Sequence, residues 1–312
     1  MATVNRPIGV DDGLYIGLAM PDKTLERVYE EHSGKVSDRW SSYLSEYNRI
    51  LAEYRNQPIA LLEIGVQNGG SLEIWSAFFP NARRLVGCDI NPDWSQLEFA
   101  DPRIRVVIGN ADSEEVQTLV LAQTPRLDVV IDDGSHRSRD IARTFARYFP
   151  FVEDGGVFIA EDMHCSYWQE FEGGLFDPFS SIAFFKQLAD VINHEHWGVG
   201  EPPSNVLKRF FEKYEFQMAD DQLRHVHSVE FINSICVVRK EAPERNHLGS
   251  RFIAGSIAKV VPGHWELHET SSYALDQARN PLTAKRKRAD MAREFFARCA
   301  RAVRRRAGMP SR

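Results

Sequence analysis

Leu62-Glu63-Ile64-Gly65-Val66-Gln67-Asn68-Gly69-Gly70-Ser71 decides the fold. An apolar run, Ile59–Ile64, stops at a glycine-rich turn, and a helical period begins at Ser71 and runs to Phe79. The same alternation repeats downstream. Short apolar runs at Arg84–Asp89, Ile104–Ile108, Leu127–Ile131 and Gly156–Ala160 enclose helical periods at Ser113–Gln123 and Ser138–Phe149. Ile141, Phe145 and Phe149 share one stripe of the last of these. Continuous apolar strands separated by helices predict a parallel sheet covered on both faces, a doubly wound α/β architecture.

Further out the pattern changes. Upstream, Trp40, Tyr43, Leu44, Tyr47, Ile50, Leu51 and Tyr54 recur at steps of three and four and predict a helix over Asp38–Asn56. Downstream, Gly173, Gly174 and Pro178 mark a long loop, followed by helices over Ser181–Ile192 and Asn205–Tyr214. Leu223–Val229 and Ile232–Arg239 are β-rich and nearly contiguous, so they are predicted to close the sheet as an antiparallel hairpin. Pro281–Arg306 reads as a basic helix with Met291, Phe295, Cys299 and Val303 along one side. The expected fold class is α/β: a Rossmann-like sheet, mostly parallel with an antiparallel terminal hairpin, and helical extensions at both ends.

With 312 residues, 43% hydrophobic and 26% charged, the chain is rich enough in apolar mass for a large core, which excludes disorder as its main state. No run of 18 apolar residues suggests a membrane span, and Met1–Asp22 shows no secretory pattern. The four cysteines, Cys88, Cys165, Cys236 and Cys299, have no C-x-x-C spacing, so a zinc ribbon or disulfide framework is not expected and a cytoplasmic setting is. Residues 271–312 carry 12 Lys/Arg against Asp276, Asp290 and Glu294, a net of +9 in a chain of net −6. That basic end, with Lys285–Arg288 and Arg304–Arg306, reads as a solvated helix face. It lacks the interleaved aromatics of a nucleic-acid platform.

The chemistry lies at the strand ends. In the loop Glu63, Gly65, Gly69 and Ser71, the two glycines let the backbone turn tightly and approach a ligand. Asp89, ending the second strand, can accept both hydroxyls of a ribose. Gln67 stands where a pyrophosphate site would need glycine, so the loop suits a nucleoside without phosphates, and S-adenosylmethionine fits. Asn110-Ala111-Asp112 after the third strand reads either as the adenine edge or as a plain cap, with Asp112 capping the next helix.

Asp132-Asp133-Gly134-Ser135-His136 ends the fourth strand and Glu161-Asp162 the fifth. As neighbours these strands would bring carboxylates together, which calls for a hard cation such as Mg²⁺, Mn²⁺ or Ca²⁺. Alternation along a strand keeps Asp132 and Asp133 from sharing one ion, and Asp133 leads into the loop. Glu161 and Asp162 could both bind only where the backbone leaves strand geometry. His136 beside them could take a proton from a substrate hydroxyl. His164 could line the substrate pocket, whereas His194, His196, His225 and His227 have no spacing that builds a site.

Leu62–Ser71, Val86–Ile90, Val129–His136 and Gly155–Asp162 with Ser166-Tyr167 resemble class I S-adenosylmethionine-dependent methyltransferases. More narrowly, they are similar to the magnesium-dependent sugar O-methyltransferases of macrolide biosynthesis, over roughly Val36–Lys240. The resemblance implies Asp133, Glu161 and Asp162 as ligands of Mg²⁺ (or Mn²⁺), His136 as proton acceptor, and Asn110, Ala111 and Asp133 against the cofactor. It also implies that Val36–Trp40, with Tyr43 and Tyr47, helps cover the cofactor, although Ser37-Asp38-Arg39 stands where the family has Thr-Asp-Lys. In the third-strand segment, Ile108-Gly109-Asn110-Ala111-Asp112 stands where the family tends to have Gly-Asp-Gln-Ser-Asp.

The expected organisation is a helical segment over 1–57 covering the cofactor site, a methyltransferase domain over 58–240, and an extension over 241–312. The expected function is transfer of a methyl group from S-adenosylmethionine to a sugar hydroxyl of a glycosylated natural product or glycan. The expected partner is a small-molecule glycoside, with a homo-oligomer implied by the resemblance and no nucleic acid. The rivals are a nucleotide-sugar-processing enzyme on a similar fold and a non-catalytic nucleoside-binding scaffold acting through the basic tail.

Overall fold

The computed structural model describes residues 23–283, with Ala292, Arg293 and Phe296. Seven strands form one sheet: β1 (Ala60–Ile64), β2 (Arg84–Asp89), β3 (Ile104–Ile108), β4 (Leu127–Asp132), β5 (Val152–Ala160), β6 (Val226–Ile232) and β7 (Ile235–Lys240). Their order is β3-β2-β1-β4-β5-β7-β6; the first five run parallel, and β7 lies antiparallel to both β5 and β6. This is the expected doubly wound sheet with an antiparallel hairpin. The order reverses at β1 and β4, so a crevice opens at the carboxyl ends of the strands there, where such sheets bind ligands.

Helices cover both faces: α1 (Leu25–Glu31), α2 (Ser41–Ile50), α3 (Gly70–Phe78), α4 (Glu114–Gln123), α5 (Ser138–Tyr148), α6 (Ser181–Ile192), α7 (Lys208–Tyr214) and α8 (Asp220–Leu223). Because successive strand residues face opposite ways, each strand feeds two cores. Leu61, Val129 and Ile159 pack with Tyr43, Tyr47, Trp75 and Phe78 of α2 and α3. Leu62, Val130 and Phe158 pack with Phe145, Phe184, Leu188 and Phe210 of α5, α6 and α7. Buried on both faces, these strands are mostly apolar, with Glu63 and Asp132 as buried exceptions near their carboxyl ends.

Several boundaries differ from the sequence reading. The hairpin turns at Asn233-Ser234, with Ser234 at φ 67°, three residues beyond the expected gap, because Phe231 and Ile232 continue the strand. β5 starts at Val152, across a register shift in its pairing with β4. The helix expected over Asp38–Asn56 is α-helical only at Ser41–Ile50, followed by a 3-10 turn at Ala52–Tyr54. Pro203 imposes a 3-10 turn ahead of α7. The α4 cap is Ser113, whose hydroxyl accepts from Val116 N, not Asp112, which pairs with Arg143. Helix α1 was not foreseen.

Pro281–Thr283, Ala292, Arg293 and Phe296 are helical; the rest of the basic stretch, including Lys285–Arg288, Met291, Phe295, Cys299, Val303 and Arg304–Arg306, lies outside the described residues, as does Met1–Asp22. Among the described residues no helix is long and apolar enough to cross a membrane.

Candidate functional site

A cavity of about 680 Å³ opens over the carboxyl ends of β1, β2, β4 and β5. Its floor is the β1–α3 turn. Gly65 has φ 82°, and a Cβ there would lie 2.1 Å from the Asp133 carbonyl oxygen, so only glycine lets the two loops close together. Asp89 accepts from Val66 N and Asn91 N, each at 2.9 Å. Those bonds fix the carboxylate and leave half of its acceptor sites free. Gly109, Asn110 and Ala111 form the adjacent wall, where Tyr148 OH donates to Ala111 O at 2.9 Å. Glu63, Gly69 and Ser71 stand behind this lining. Glu63 is fully buried and accepts from Arg39, Ser71 Oγ (2.6 Å) and Trp75 Nε1 (3.0 Å). Gly69 is the left-handed N-cap of α3.

The other end is acidic. Asp132 points away, into α5, where it accepts from Thr144 Oγ1; burial pushes its carboxyl up to about 6. Asp133 turns into the cavity instead, as alternation requires. Asp162 has φ 51° and ψ 37°, so the backbone does leave strand geometry after β5, and Asp162 swings towards Asp133 and His136. Asp tolerates this left-handed region better than most residues. His136 shares it, at φ 55°. One ligand atom each from Asp133, His136 and Asp162 lies within 4.8 Å of the others. His136 Nε2 is 3.7 Å from Asp162 Oδ2, while its Nδ1 is buried without a hydrogen-bond partner. Burial lowers the His136 pKa, which keeps the imidazole neutral.

Glu161 sits deeper. Its Oε1 accepts from Arg39 Nη1 at 2.6 Å and from Tyr47 OH. Arg39 Nη2 reaches Glu63 at 2.6 Å and lies 3.8 Å from Asp133, with the guanidinium against the Tyr47 and Trp75 rings. Burial, reinforced by the Glu161 charge, holds the Asp133 carboxyl well above the ordinary carboxylate range; burial also raises Glu161, against the pull of Arg39. Asp162 Oδ1 accepts from Trp40 Nε1 at 3.0 Å and Tyr43 OH at 2.9 Å. Periodicity predicts a helix over this Arg39–Tyr47 stretch, but its place beside the site came only through a resemblance. The available signal was an arginine directly ahead of tyrosines spaced four apart on the buried face of α2.

Residues 62–163 match the model of a methyltransferase domain family. The chain resembles the class I S-adenosylmethionine-dependent methyltransferases. It is 37% identical over 164 residues to the mycinamicin VI 2''-O-methyltransferase of Micromonospora griseorubida, covering 49% of this chain and 40% of that one. To the 8-demethyl-8-alpha-L-rhamnosyl tetracenomycin-C 2'-O-methyltransferase of Streptomyces olivaceus it is 34% identical over 173 residues, or 52% of this chain and 44% of that one. Among solved structures, the MycE methyltransferase of the mycinamycin biosynthetic pathway, in complex with Mg, SAH and mycinamycin VI, superimposes with a TM-score of 0.59 at 26% identity. That match covers 79% of this chain and 58% of that one. The chain spans 40 to 47% of the length of the curated relatives it matches.

Proposed function

We propose that this chain transfers a methyl group from S-adenosylmethionine to a sugar hydroxyl of a glycosylated natural product or glycan, with Mg²⁺ or Mn²⁺ bound beside the acceptor. The observation that carries this reading is the meeting of Asp133, His136 and Asp162 at one end of a cavity whose other end is shaped by Gly65 and Asp89. The relatives, named as sugar O-methyltransferases of natural-product pathways, support the same reading. In it, residues 58–240 form the methyltransferase domain, and the described part of 1–57, residues 23–57, covers its cofactor site.

The residues fit both groups. A glycine floor without Cβ atoms and an oriented Asp89 carboxylate suit the amino-acid and ribose parts of the cofactor, with adenine against Asn110 and Ala111 and with Asp133 alongside. Glu63, Gly69 and Ser71 hold the loop from behind. Two carboxylates that converge inside the cavity suit a hard divalent cation, held by Asp133 and Asp162 with Glu161 next to them, and His136 stays free beside it. When bound, the cofactor supplies an already activated methyl group and the cation supplies charge that acidifies a hydroxyl.

The chain's own residues do the rest. His136, neutral because buried, accepts the acceptor's proton. The Asp162 carboxylate, fixed by Trp40 and Tyr43, orients the hydroxyl and steadies the imidazolium that forms. Holding the reactants in line provides much of the acceleration. Among the described residues the cavity lining has only Arg39 and Arg139 as cations, and Arg39 is engaged by Glu63 and Glu161, so it offers no basic cluster for the pyrophosphate of a nucleotide sugar.

Calorimetric titration with S-adenosylhomocysteine, with and without Mg²⁺, tests the first half. Binding that leads to methyl transfer onto glycosides supports the proposal, and no binding under either condition demotes the glycine turn to a structural one. A His136→Ala chain that methylates at the wild-type rate would remove the base assignment; full activity in excess chelator would remove the cation.

A further inference from the structure

Five rings run in an unbroken line around Asp162. Centroid distances are 6.0 Å from Trp40 to His164, 4.9 Å to Trp168, 6.1 Å to Phe171 and 6.1 Å to His136. Both ends return to one carboxylate: Trp40 Nε1 donates to Oδ1 at 3.0 Å, and His136 Nε2 is 3.7 Å from Oδ2. The rings meet edge-on or tilted, none stacked flat, so they do not cover one another's faces. Trp40 is 59% exposed and Trp168 49%. Neither indole is left loose. Trp40 is tied to Asp162, and Trp168 packs against His164, which hydrogen-bonds Ser234 in the β6–β7 turn. Trp40 lines the cavity and Trp168 lies beyond it, joined to it through the rings of His164 and Phe171; two oriented, half-wet indoles there form a ready binding surface, since burying them gains apolar contact at little cost in side-chain freedom.

The charge on the cavity narrows what such a surface can hold. Among the described residues the lining offers no basic cluster for an anion, and the ligand must still bring a hydroxyl to His136. A neutral pyranose satisfies all of this, with C–H bonds on its faces for the indoles and hydroxyls around its edge.

We propose that Trp168, with Trp40, is the platform on which the acceptor's pyranose ring lies, so that the acceptor is an uncharged glycoside whose sugar stacks on Trp168 while one ring hydroxyl faces His136 and Asp162. This rests on the methyltransferase reading and adds the residue that selects the sugar. Phe171 and His164 set the tilt of the Trp168 ring.

The test uses the full chain with S-adenosylhomocysteine and Mg²⁺, and methyl α-L-rhamnoside, methyl β-D-glucoside, methyl β-D-galactoside and uridine diphosphate glucose as probes. Saturation-transfer NMR, irradiating the protein's aromatic protons, reads which sugar protons lie against rings. At least one neutral glycoside is expected to receive saturation on its ring C–H protons. Trp168→Ala is expected to weaken it about tenfold, and Trp168→Phe to retain most of the affinity. S-adenosylhomocysteine affinity should be the same in all three proteins, which also shows that the variants fold.

The proposal is overturned if no neutral glycoside is saturated, if Trp168→Ala binds within about twofold of wild type, or if uridine diphosphate glucose binds more tightly than the neutral probes. Failure of the wild type to bind S-adenosylhomocysteine instead overturns the methyltransferase reading beneath it.

Discussion

Replacing Arg39 by methionine should cost more stability than any other single change near the cavity. The Arg39 side chain is 1% exposed, and its partners Glu63 and Glu161 are 0% and 2% exposed, each held at 2.6 Å. Methionine keeps the stem that packs beside Tyr47 and Trp75 but removes both charged bonds. Glu63 then retains Ser71 and Trp75 as donors, and Glu161 retains Tyr47, so neither carboxylate is bare, yet both stay buried without a cation. Removing one partner of a buried ion pair costs about 3–5 kcal/mol. For a domain of this size that corresponds to roughly 10 °C in Tm.

Guanidinium chloride unfolding of wild type, Arg39→Met, Glu161→Gln and the double variant forms a cycle that isolates the Arg39–Glu161 coupling, expected at about 1–3 kcal/mol. Arg39→Lys should recover only part of the loss, because an ammonium cannot fork between two carboxylates. An Arg39→Met protein within about 1 kcal/mol of wild type, or a cycle with no coupling, would refute the reasoning.

Asp162→Asn keeps the size of the side chain but removes its charge. Mn²⁺ binding, read by the electron paramagnetic resonance of the free ion in the presence of S-adenosylhomocysteine, should weaken at least about tenfold with little loss of stability; unchanged Mn²⁺ affinity would take Asp162 out of the cation site. Gly65→Ala forces a Cβ into the Asp133 carbonyl from a left-handed backbone and should abolish S-adenosylhomocysteine binding, which calorimetry checks. Far from the cavity, the Arg103 side chain holds Asp101 at a pKa of about 2. A depressed carboxylate contributes stability above its unfolded value near 3.8 and loses it as pH falls through about 2. Asp101→Asn should therefore cost about 1–2 kcal/mol at neutral pH, screening included, and nothing once Asp101 is protonated; a pH-independent deficit would contradict the ion-pair account.

The sheet was legible because every strand had to satisfy two cores. Leu61 and Leu62 face opposite layers, so both had to be apolar, and such runs leave little ambiguity. The pairing of Asp133 with Asp162 was legible in outline, since neighbouring strand ends converge. What permits it, a left-handed backbone at Asp162, was not, because one residue's dihedral angle leaves no periodic mark. The hairpin was displaced for a related reason. A two-residue turn at Asn233-Ser234 is a weaker signal than the apolar pair Phe231-Ile232 just before it. Glu63 and Ser71 read as cofactor contacts from their place in a glycine loop, but strand alternation sends Glu63 inward to Arg39. Arg39 itself was visible only as one charge beside several tyrosines. Its burial depends on three strands that come together only in the folded chain.

The stretch Arg39–Tyr47 reaches Glu161 and Asp162 across 114 to 122 residues of sequence. Such distant contacts bear a large loop-closure entropy before they return anything. The pocket's acidic end therefore works as a proof of assembly. Until α2 and the two residues ahead of it dock, Glu161 and Asp162 lack these donors, and turnover and nativeness should be lost together. A chain cut just after α2 so that the pieces separate would keep Asp133, His136 and Asp162 on one fragment, but without the donors that fix Glu161 and Asp162.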